Sequence, residues 1–293
     1  MHKYFFKNNL IEVKNDVIIY DKEDILVKNF GKQWNTYRNV QIDSINNFKI
    51  SKDFLQNLIF DKVSNLRNKT ILEIGCGAGR FTEYLSQYSK FVVSVDLSDA
   101  IFCNISKNKK NVFLYKANFL TLIPNVKFDV VICRGVLQHT FDPLKSILKL
   151  YDFVNIDGEV CFDIYKMPKL GYFHPKYFLW RPFFQTFISY NSLEKFLKKR
   201  IKLLLKIKKK IDKIFMNYKF FSDSIIPVWD YHNILKLNDK QMENFAILDT
   251  LDGIYAKYDK PKSYETIIKF LTKNNINILQ CDKSKNFFKT SLK

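Results

Sequence analysis

The stretch TILEIGCGAGR, residues 70–80, joins an apolar run rich in β-branched residues to three glycines at alternate positions. Residues 81–85 then begin a helical pattern, so the sequence predicts a strand, a tight glycine turn and a helix. Glycine permits positive φ angles and lets the backbone approach a ligand closely. Because the first amides of a helix have no partner within it, they can face that ligand. The stretch therefore predicts a ligand-binding turn.

The spacing of the glycines separates this turn from a dinucleotide-binding one. Arg80 stands where the dinucleotide fingerprint G-x-G-x-x-G has its third glycine, and Glu73 precedes Gly75 by two residues. The stretch reads E-x-G-x-G-x-G and resembles motif I of the class I S-adenosylmethionine (SAM)-dependent methyltransferases. A nicotinamide-dependent oxidoreductase is the alternative that Arg80 disfavours.

Further motifs extend the resemblance in the expected order, and they lie in residues 91–98, 112–119, 127–143 and 157–165. The first is an apolar run that ends at Asp96. The second contains Asn118, where the family usually has aspartate, and the third resembles motif IV. Five apolar runs separated by helical spacers predict parallel strands with helices on both faces. The resemblance covers residues 68–166 strongly and the rest of the chain more loosely.

The resemblance implies an α/β fold, namely a Rossmann-like, seven-stranded SAM-methyltransferase sheet with a closing antiparallel hairpin, plus a helical insertion. In such a sheet the ligand lies across the carboxyl ends of the strands, where the strand order reverses. The predicted segments are an N-terminal preface with a cofactor-covering helix at 1–50, a SAM-binding core at 51–166, a basic and aromatic helical insertion at 167–240, and a C-terminal completion of the fold at 241–293.

The resemblance also assigns residues to SAM and to its product S-adenosylhomocysteine. They are Glu73, Gly75, Cys76, Gly77, Gly79, Asp96, Leu97, Asn118, Phe119, Cys133, Arg134 and Arg38. The glycine turn is expected to hold the methionine end, with Glu73 ordering the turn. Asp96 is expected to bind the ribose hydroxyls, and the alternative is that it caps the next helix. Leu97, Asn118 and Phe119 are expected around the adenine, and Cys133 and Arg134 near the methionine amino or carboxylate group.

Two segments outside the core resemble acceptor-side elements of one methyltransferase branch. In residues 30–41, the helical spacing of Trp34, Tyr37, Arg38 and Gln41 predicts a shared face. Arg38 would pair with the methionine carboxylate of SAM, and Trp34 and Tyr37 would contact the substrate. Residues 248–261 contribute Asp252 and Tyr258 to the predicted substrate side. The alternatives are a docking helix and an ordinary turn-rich linker.

His139 is the predicted general base, because an acceptor hydroxyl must lose a proton and histidine titrates near neutrality. The alternative is a structural role in loop packing. His174 and His232 are further candidates on the acceptor side. Orientation of the acceptor toward an already electrophilic methyl group can supply much of the rate without a base.

Composition narrows the class of protein. The chain has 293 residues, of which 47% are hydrophobic, and a formal net charge of +19, which suggests an anionic partner. The five cysteines form no C-x-x-C pair, so no metal site is predicted and a reducing compartment is favoured. The sequence begins without the apolar region of a signal peptide and has no apolar run of about 18 residues. We therefore expect a cytoplasmic protein.

Residues 193–215 carry the main indication of a partner. Apolar residues recur there at three- and four-residue steps, and ten Lys or Arg residues lie between positions 195 and 213. Such a basic amphipathic helix is typical of peripheral contact with the inner face of a membrane. A nucleic-acid surface and a packing helix with a solvated basic face are the alternatives.

The sequence therefore predicts a SAM-dependent methyltransferase that acts on a small-molecule, glycan or lipid-linked acceptor, by O-methylation. Nucleic acid is the less favoured partner, in part because the fourth strand lacks an Asn-Pro-Pro-Tyr-like tetrapeptide and has CRGV at 133–136. The alternative functions are an RNA or DNA methyltransferase that uses the basic insertion, and a non-catalytic partner subunit with the same fold.

Overall fold

The computed structural model describes residues 4–22, 27–47, 49–215, 219–231, 235 and 237–293. The chain divides into two compact units. Met1–Met167 and Tyr258–Lys293 form the first, which we call the core unit, and Pro168–Lys257 form the second, which we call the helical unit.

The core unit is built on one nine-stranded sheet with the order β1-β2-β5-β4-β3-β6-β7-β9-β8. The strands are β1 Glu12–Lys14, β2 Val17–Ile19, β3 Thr70–Ile74, β4 Phe91–Asp96, β5 Val112–Lys116, β6 Phe128–Cys133, β7 Val154–Asp163, β8 Ile276–Asp282 and β9 Phe287–Leu292. Strands β3 to β7 are parallel, and β9 lies antiparallel between β7 and β8. The predicted seven-stranded sheet with a closing antiparallel hairpin is confirmed.

The preface adds two strands that the sequence does not predict as part of this sheet. Strands β1 and β2 form an antiparallel pair, and β2 pairs in parallel with β5. Val17 and Ile19 are buried there beside Leu114, so the pair covers an edge that would otherwise end at β5.

Helices cover both faces of the sheet. In the core unit they are α1 Lys28–Gln41, α2 Asp43–Asn46, α3 Ile50–Ile59, α4 Thr82–Tyr88, α5 Pro143–Tyr151 and α10 Tyr264–Lys273. Successive residues of β3 point to opposite faces, so Ile71 packs in the cluster with α3 and α4 while Leu72 packs in the cluster with α5 and α10. Both faces are apolar, as expected of buried parallel strands.

Strand β3 occupies the switch point of the sheet. The next strand along the chain, β4, lies on one side of β3, and β6 lies on the other. Connections from β3 and from its two neighbours therefore leave the sheet at the same edge in different directions. This crevice is where α/β sheets of this kind bind ligands.

The helical unit contains α6 Arg181–Phe187, α7 Tyr190–Ile214, α8 Lys219–Ile225 and α9 Asp239–Tyr255. Helix α9 begins with a capping box between Asn238 and Gln241. Its end is held by Arg181, whose guanidinium donates to the carbonyl oxygens of Gly253 at 2.6 Å and of Ala256. Lys208 of α7 is buried, and its ammonium group contacts the Asp223 carboxylate and donates to the Val228 carbonyl. Within the described residues, none of the helices is both long and apolar enough to span a bilayer.

Candidate active site

The glycine turn follows β3 directly, and two of its glycines are fixed by close packing. Gly75 has a φ of 77°, and a Cβ atom there would stand 2.0 Å from Cγ2 of Val136. Gly79 has a φ of 95°, and its Cβ atom would stand 2.4 Å from Oδ1 of Asn104. Both positions therefore exclude a side chain by conformation and by space. The turn is pressed against the loop after β6 on one side and against residues after β4 on the other.

Asp96 is the last residue of β4, and its side chain is hydrogen-bonded to the glycine turn. Its Oδ2 accepts from the Gly77 amide at 2.7 Å, and its Oδ1 accepts from the amide and the hydroxyl of Ser98 at 2.8 and 2.7 Å. Burial raises the pKa of Asp96 above its ordinary value, against the effect of these bonds. The hydroxyl of Ser98 accepts from the Ala100 amide, so Ser98 fills the capping role that was the alternative for Asp96. A carboxylate has further lone pairs, which ribose hydroxyls can use.

Glu73 lies beneath the turn in a buried polar network. Its Oε2 accepts from the hydroxyls of Thr82 at 2.6 Å and Ser94 at 2.8 Å, and Thr82 in turn accepts from the Asn104 amide group at 3.1 Å. Burial raises the pKa of Glu73 to about 7, and the nearby Asp96 carboxylate acts in the same direction. The network ties β3, α4 and β4 together, which supports the turn-ordering role that the resemblance implies.

The loop after β6 borders open space. Gly135 has a φ of 71°, and apart from Gly135 itself and its two chain neighbours no heavy atom of the described residues lies within 4 Å of where its Cβ would stand. Its amide donates to Oδ1 of Asp163 at 2.6 Å, which fixes the loop to the end of β7. The neighbouring Arg134 guanidinium lies over the rings of Phe54 and Phe287, at 4.7 and 5.3 Å from their centroids. The predicted contact of Arg134 with the methionine group remains a prediction beside this stacking.

Other predicted cofactor residues are placed as follows. The side chains of Cys76, Cys133 and Phe119 are buried in the apolar clusters of the sheet, and Leu97 is half-buried. Burial raises the thiol pKa of both cysteines far above the usual range, so they are core residues. Any contact that Cys76 makes with a ligand is thus expected through its backbone.

Asn118 is held by an acid that sequence reasoning missed. The backbone amide of Asn118 donates to Oδ2 of Asp21 at 2.9 Å, and the side-chain Oδ1 of Asn118 accepts from the backbone amide of Leu120 at 3.1 Å. Asp21 follows β2, so the two added strands bring a carboxylate to the end of β5. No local pattern around Asp21 could reveal this, because the contact depends on the pairing of β2 with β5.

Helix α1 brings one predicted aromatic side chain to the glycine turn. A Cβ atom on Gly77 would lie 3.7 Å from the Trp34 ring, which is an ordinary contact distance. The predicted shared face is divided, however, because Tyr37 and Gln41 are buried whereas Arg38 is exposed. The helix turns Arg38 away from its buried side. The guanidinium that Gln41 contacts is that of Arg80, at 2.8 Å.

His139 is held in the loop after β6 with a defined orientation. Its Nδ1 lies 2.8 Å from the carbonyl oxygen of Tyr258, and its ring packs against Phe30 and Tyr165 at centroid distances of 5.0 and 5.6 Å. Because a carbonyl can only accept, Nδ1 carries the hydrogen, and in the neutral ring Nε2 is the nitrogen that can take up a proton. Tyr258 thus reaches His139 through its backbone.

The acceptor-side candidates other than His139 belong to different units of the chain. Asp252 belongs to α9 of the helical unit, while Tyr258 belongs to the core unit, so the segment 248–261 does not act as one element. His174 also lies in the helical unit, and burial lowers its pKa. His232 lies outside the described residues. In the part of the chain that the structure describes, no group of three or more His, Cys, Asp or Glu residues is arranged to hold a metal ion.

Gln138 is a residue that sequence reasoning did not single out. It is fully buried between Leu137 and His139, and neither atom of its side-chain amide has a hydrogen-bond partner among the described residues. Its backbone carbonyl accepts from the Lys260 amide at 2.9 Å. A buried amide without partners is costly, so this side chain is a candidate for contact with a bound molecule.

Comparison with known proteins agrees with the motif analysis. Residues 72–162 match the family described as a methyltransferase domain. The chain is 29% identical over 128 residues to a tRNA U34 carboxymethyltransferase of Shewanella frigidimarina, covering 40% of this chain and 39% of the relative. It is 32% identical over 105 residues to the protein of that name in Shewanella loihica, covering 33% and 32%. The chain thus spans two fifths or less of the length of these curated relatives.

Two solved structures are also similar. PKMT2 from Rickettsia typhi in complex with AdoHcy is 18% identical with a TM-score of 0.49, covering 86% of this chain and 53% of that chain. The N-methyltransferase NodS from Bradyrhizobium japonicum in complex with S-adenosyl-L-homocysteine is 19% identical with a TM-score of 0.36, covering 46% and 74%.

The family match and the strand order support the same assignment. The matched residues run from β3 to β7 and include the glycine turn, Asp96 and the loop after β6. Residues 72–162 thus form a domain of the methyltransferase family.

Proposed function

We propose that this protein transfers a methyl group from SAM to a hydroxyl group of its acceptor. The observation that carries the cofactor assignment is the hydrogen bond from the Gly77 amide to Asp96, which joins a carboxylate to the glycine turn at the switch point of the sheet. The donor set suits an adenosine ligand, because the carboxylate can accept ribose hydroxyls and the turn can admit the methionine end. SAM supplies a methyl group that is already electrophilic, because it is bonded to a sulfonium.

The protein's task is then to hold the acceptor and to receive a proton. Trp34 next to Gly77 and the open space at Gly135 are suited to enclosing the two reactants. The sulfonium of SAM leaves without an acid catalyst. The rate of methyl transfer therefore depends mainly on how the protein orients the two reactants and excludes water. We assign the proton of the acceptor hydroxyl to Nε2 of His139, because its ring is oriented by the Tyr258 carbonyl.

Calorimetric titration tests the cofactor assignment. Wild-type protein should bind SAM and S-adenosylhomocysteine but not NAD. Asp96→Ala should weaken SAM binding by about tenfold to a hundredfold, because one charge-assisted pair of hydrogen bonds contributes about 1.5–3 kcal/mol. Asp157→Ala is the matched control, since Asp157 is an exposed carboxylate at the start of β7. Unchanged SAM affinity in a folded Asp96→Ala protein would refute the ribose assignment.

RNA is a second candidate acceptor, and the name of the curated relatives favours it. Those relatives are named for tRNA, and the net charge of +19 suits an anionic polymer. The small-molecule, glycan or lipid-linked acceptor that the sequence predicts is the competing proposal. Purified tRNA distinguishes the two. An RNA enzyme should bind it with an affinity that falls steeply with salt and should transfer radiolabelled methyl groups to it, whereas the competing proposal expects no labelled RNA.

A further inference from the structure

Helix α7 of the helical unit has three distinct faces. One face is buried and contains Tyr190, Leu193, Glu194, Leu197, Ile201, Leu205 and Lys208. These residues recur at steps of one, three and four, so they form a single stripe that packs within the protein. Most of the other positions of this 25-residue helix are exposed.

The second face is a stripe of large apolar side chains that are exposed. Phe196, Leu203, Ile207 and Ile214 have exposed fractions of 50%, 49%, 39% and 73%. They follow one another at steps of seven, four and seven residues, which places all four within an arc of about 40° on the helix. Four large exposed residues aligned over about 27 Å form a continuous apolar line, which isolated surface residues do not.

The third face is basic. Nine cations of α7 are exposed, namely Lys195, Lys198, Lys199, Arg200, Lys202, Lys206, Lys209, Lys210 and Lys213. The helix contains two acids, of which Glu194 pairs with Lys198 at 2.8 Å and Asp212 is half-exposed. On the helical wheel, Lys199 and Lys210 border the apolar stripe on one side and Arg200 on the other. The apolar stripe thus has a row of cations along one edge and the single cation Arg200 at the other, next to the buried face.

We propose that α7 lies on an anionic membrane surface, with the apolar stripe inserted among the lipid chains and the flanking cations at the headgroups. Charge alone would suit RNA equally, because a polyanion is bound through its phosphates. The apolar stripe decides between the two, since aliphatic side chains gain free energy in the acyl boundary and gain little against a phosphate backbone. Lys and Arg beside the stripe can extend their charged ends to the headgroups while their stems remain apolar.

Two more aromatic side chains are partly exposed just beyond the end of α7. Phe215 and Phe221 are stacked at a centroid distance of 4.7 Å, and their exposed fractions are 39% and 41%. Aromatic rings at the border of an apolar face are common at membrane interfaces. The membrane proposal does not depend on methyl transfer. Its test measures only the binding of the chain to lipid.

Sedimentation with lipid vesicles tests this proposal. The chain of residues 1–293 should bind phosphatidylcholine vesicles that contain phosphatidylglycerol, and it should bind pure phosphatidylcholine vesicles far more weakly. The double substitution Leu203→Ser with Ile207→Ser should weaken binding at least about tenfold, because two aliphatic side chains no longer enter the acyl boundary. Both positions are exposed, so folding should be unaffected, and circular dichroism checks this.

Ile156→Ser is the matched control, because Ile156 is 81% exposed in β7 of the core unit and should leave vesicle binding unchanged. Retention of vesicle binding in the double variant would overturn the proposal. So would absence of binding to anionic vesicles. The proposal would also be overturned if the wild-type protein bound RNA but not vesicles, and if the double substitution Lys202→Gln with Lys206→Gln abolished the RNA binding. SAM titration of the same samples distinguishes these results from failure of the proposed methyl transfer.

Discussion

At the scale of single residues, the charge state of Glu73 is set by burial. The residue is 2% exposed, and its hydrogen-bond partners, Thr82 and Ser94, are uncharged hydroxyls that cannot balance a negative charge on the carboxylate. A buried carboxyl favours its protonated form, so its pKa rises to about 7 from an ordinary value of 4.5. The stability of the glycine turn, which Glu73 supports, is therefore expected to depend on pH.

The sign of this coupling predicts a loss of stability toward neutral pH. Between about pH 4.5 and pH 7 the unfolded chain releases the Glu73 proton while the folded chain keeps it, so the free energy of unfolding falls as pH rises. The difference amounts to on the order of 3 kcal/mol. Glu73→Gln cannot titrate and still offers an oxygen to Thr82 and Ser94. Urea unfolding at several pH values should therefore give a weaker fall for this variant, and greater stability at pH 8.

Glu12→Gln controls for the removal of a carboxylate, because Glu12 is exposed in β1. The same fall in both variants and in the wild type would contradict the assignment to Glu73.

Some contacts between single residues near the site cannot be predicted from the sequence. The glycine turn, Asp96 and His139 are predicted from the motifs because each lies at the end of an apolar strand or shortly after it. The contact of Gln41 with Arg80 joins residues 39 positions apart, and that of Asp21 with Asn118 joins residues 97 apart. Neither partner sits in a periodic pattern that indicates the other. Such pairs depend on which elements become neighbours, so they are visible only in the structure.

At the scale of elements, helix boundaries follow local backbone conformations. The apolar pattern of residues 51–66 predicts one helix, but α3 ends at Ile59 because Phe60 adopts a left-handed conformation with a φ of 52°. A short 3-10 turn, Val63–Leu66, follows and still buries Val63 and Leu66. The pattern predicts the buried face correctly, whereas the break involves a residue type for which positive φ is uncommon.

The junction of α6 and α9 carries a prediction at the same scale. Arg181 is 8% exposed and donates to the carbonyl oxygens of Gly253 and Ala256, at the end of α9. A cation there satisfies the last carbonyls and opposes the negative end of the helix dipole. Arg181→Met should destabilise the helical unit by about 2–3 kcal/mol, because buried acceptors lose a charged donor. Urea unfolding followed through Trp180 and Trp229 measures this.

Lys206→Met is the control for this substitution, since Lys206 is an exposed cation of α7 whose replacement should change stability by less than about 0.5 kcal/mol. Equal unfolding midpoints for the Arg181 variant and the wild type would mean that water replaces the guanidinium at no cost.

At the scale of the whole molecule, the family strands can be located in the sequence because each is a separate apolar run with its own turn signals, and their order in the sheet is what the family resemblance implies. The extension by β1 and β2 is not predictable in this way, because two three-residue strands carry too little pattern to specify an edge. Their place depends on the exposed side of β5, which exists only after the sheet has formed. The sheet order then determines which distant segments meet at the switch point.

This convergence yields a prediction about hydrogen exchange. Saturation with SAM should slow exchange in three segments that are far apart in sequence: the glycine turn at 75–80, Asp96 to Ser98, and the loop at 134–139. At a SAM concentration of 100 times Kd, the bound state gains about 2.7 kcal/mol, so amides that exchange only from the ligand-free state should slow about a hundredfold. Amides of α7 should not change, because the proposed ligand contacts lie in the core unit. Protection confined to one of the three segments would mean that the ligand does not bridge the ends of β3, β4 and β6.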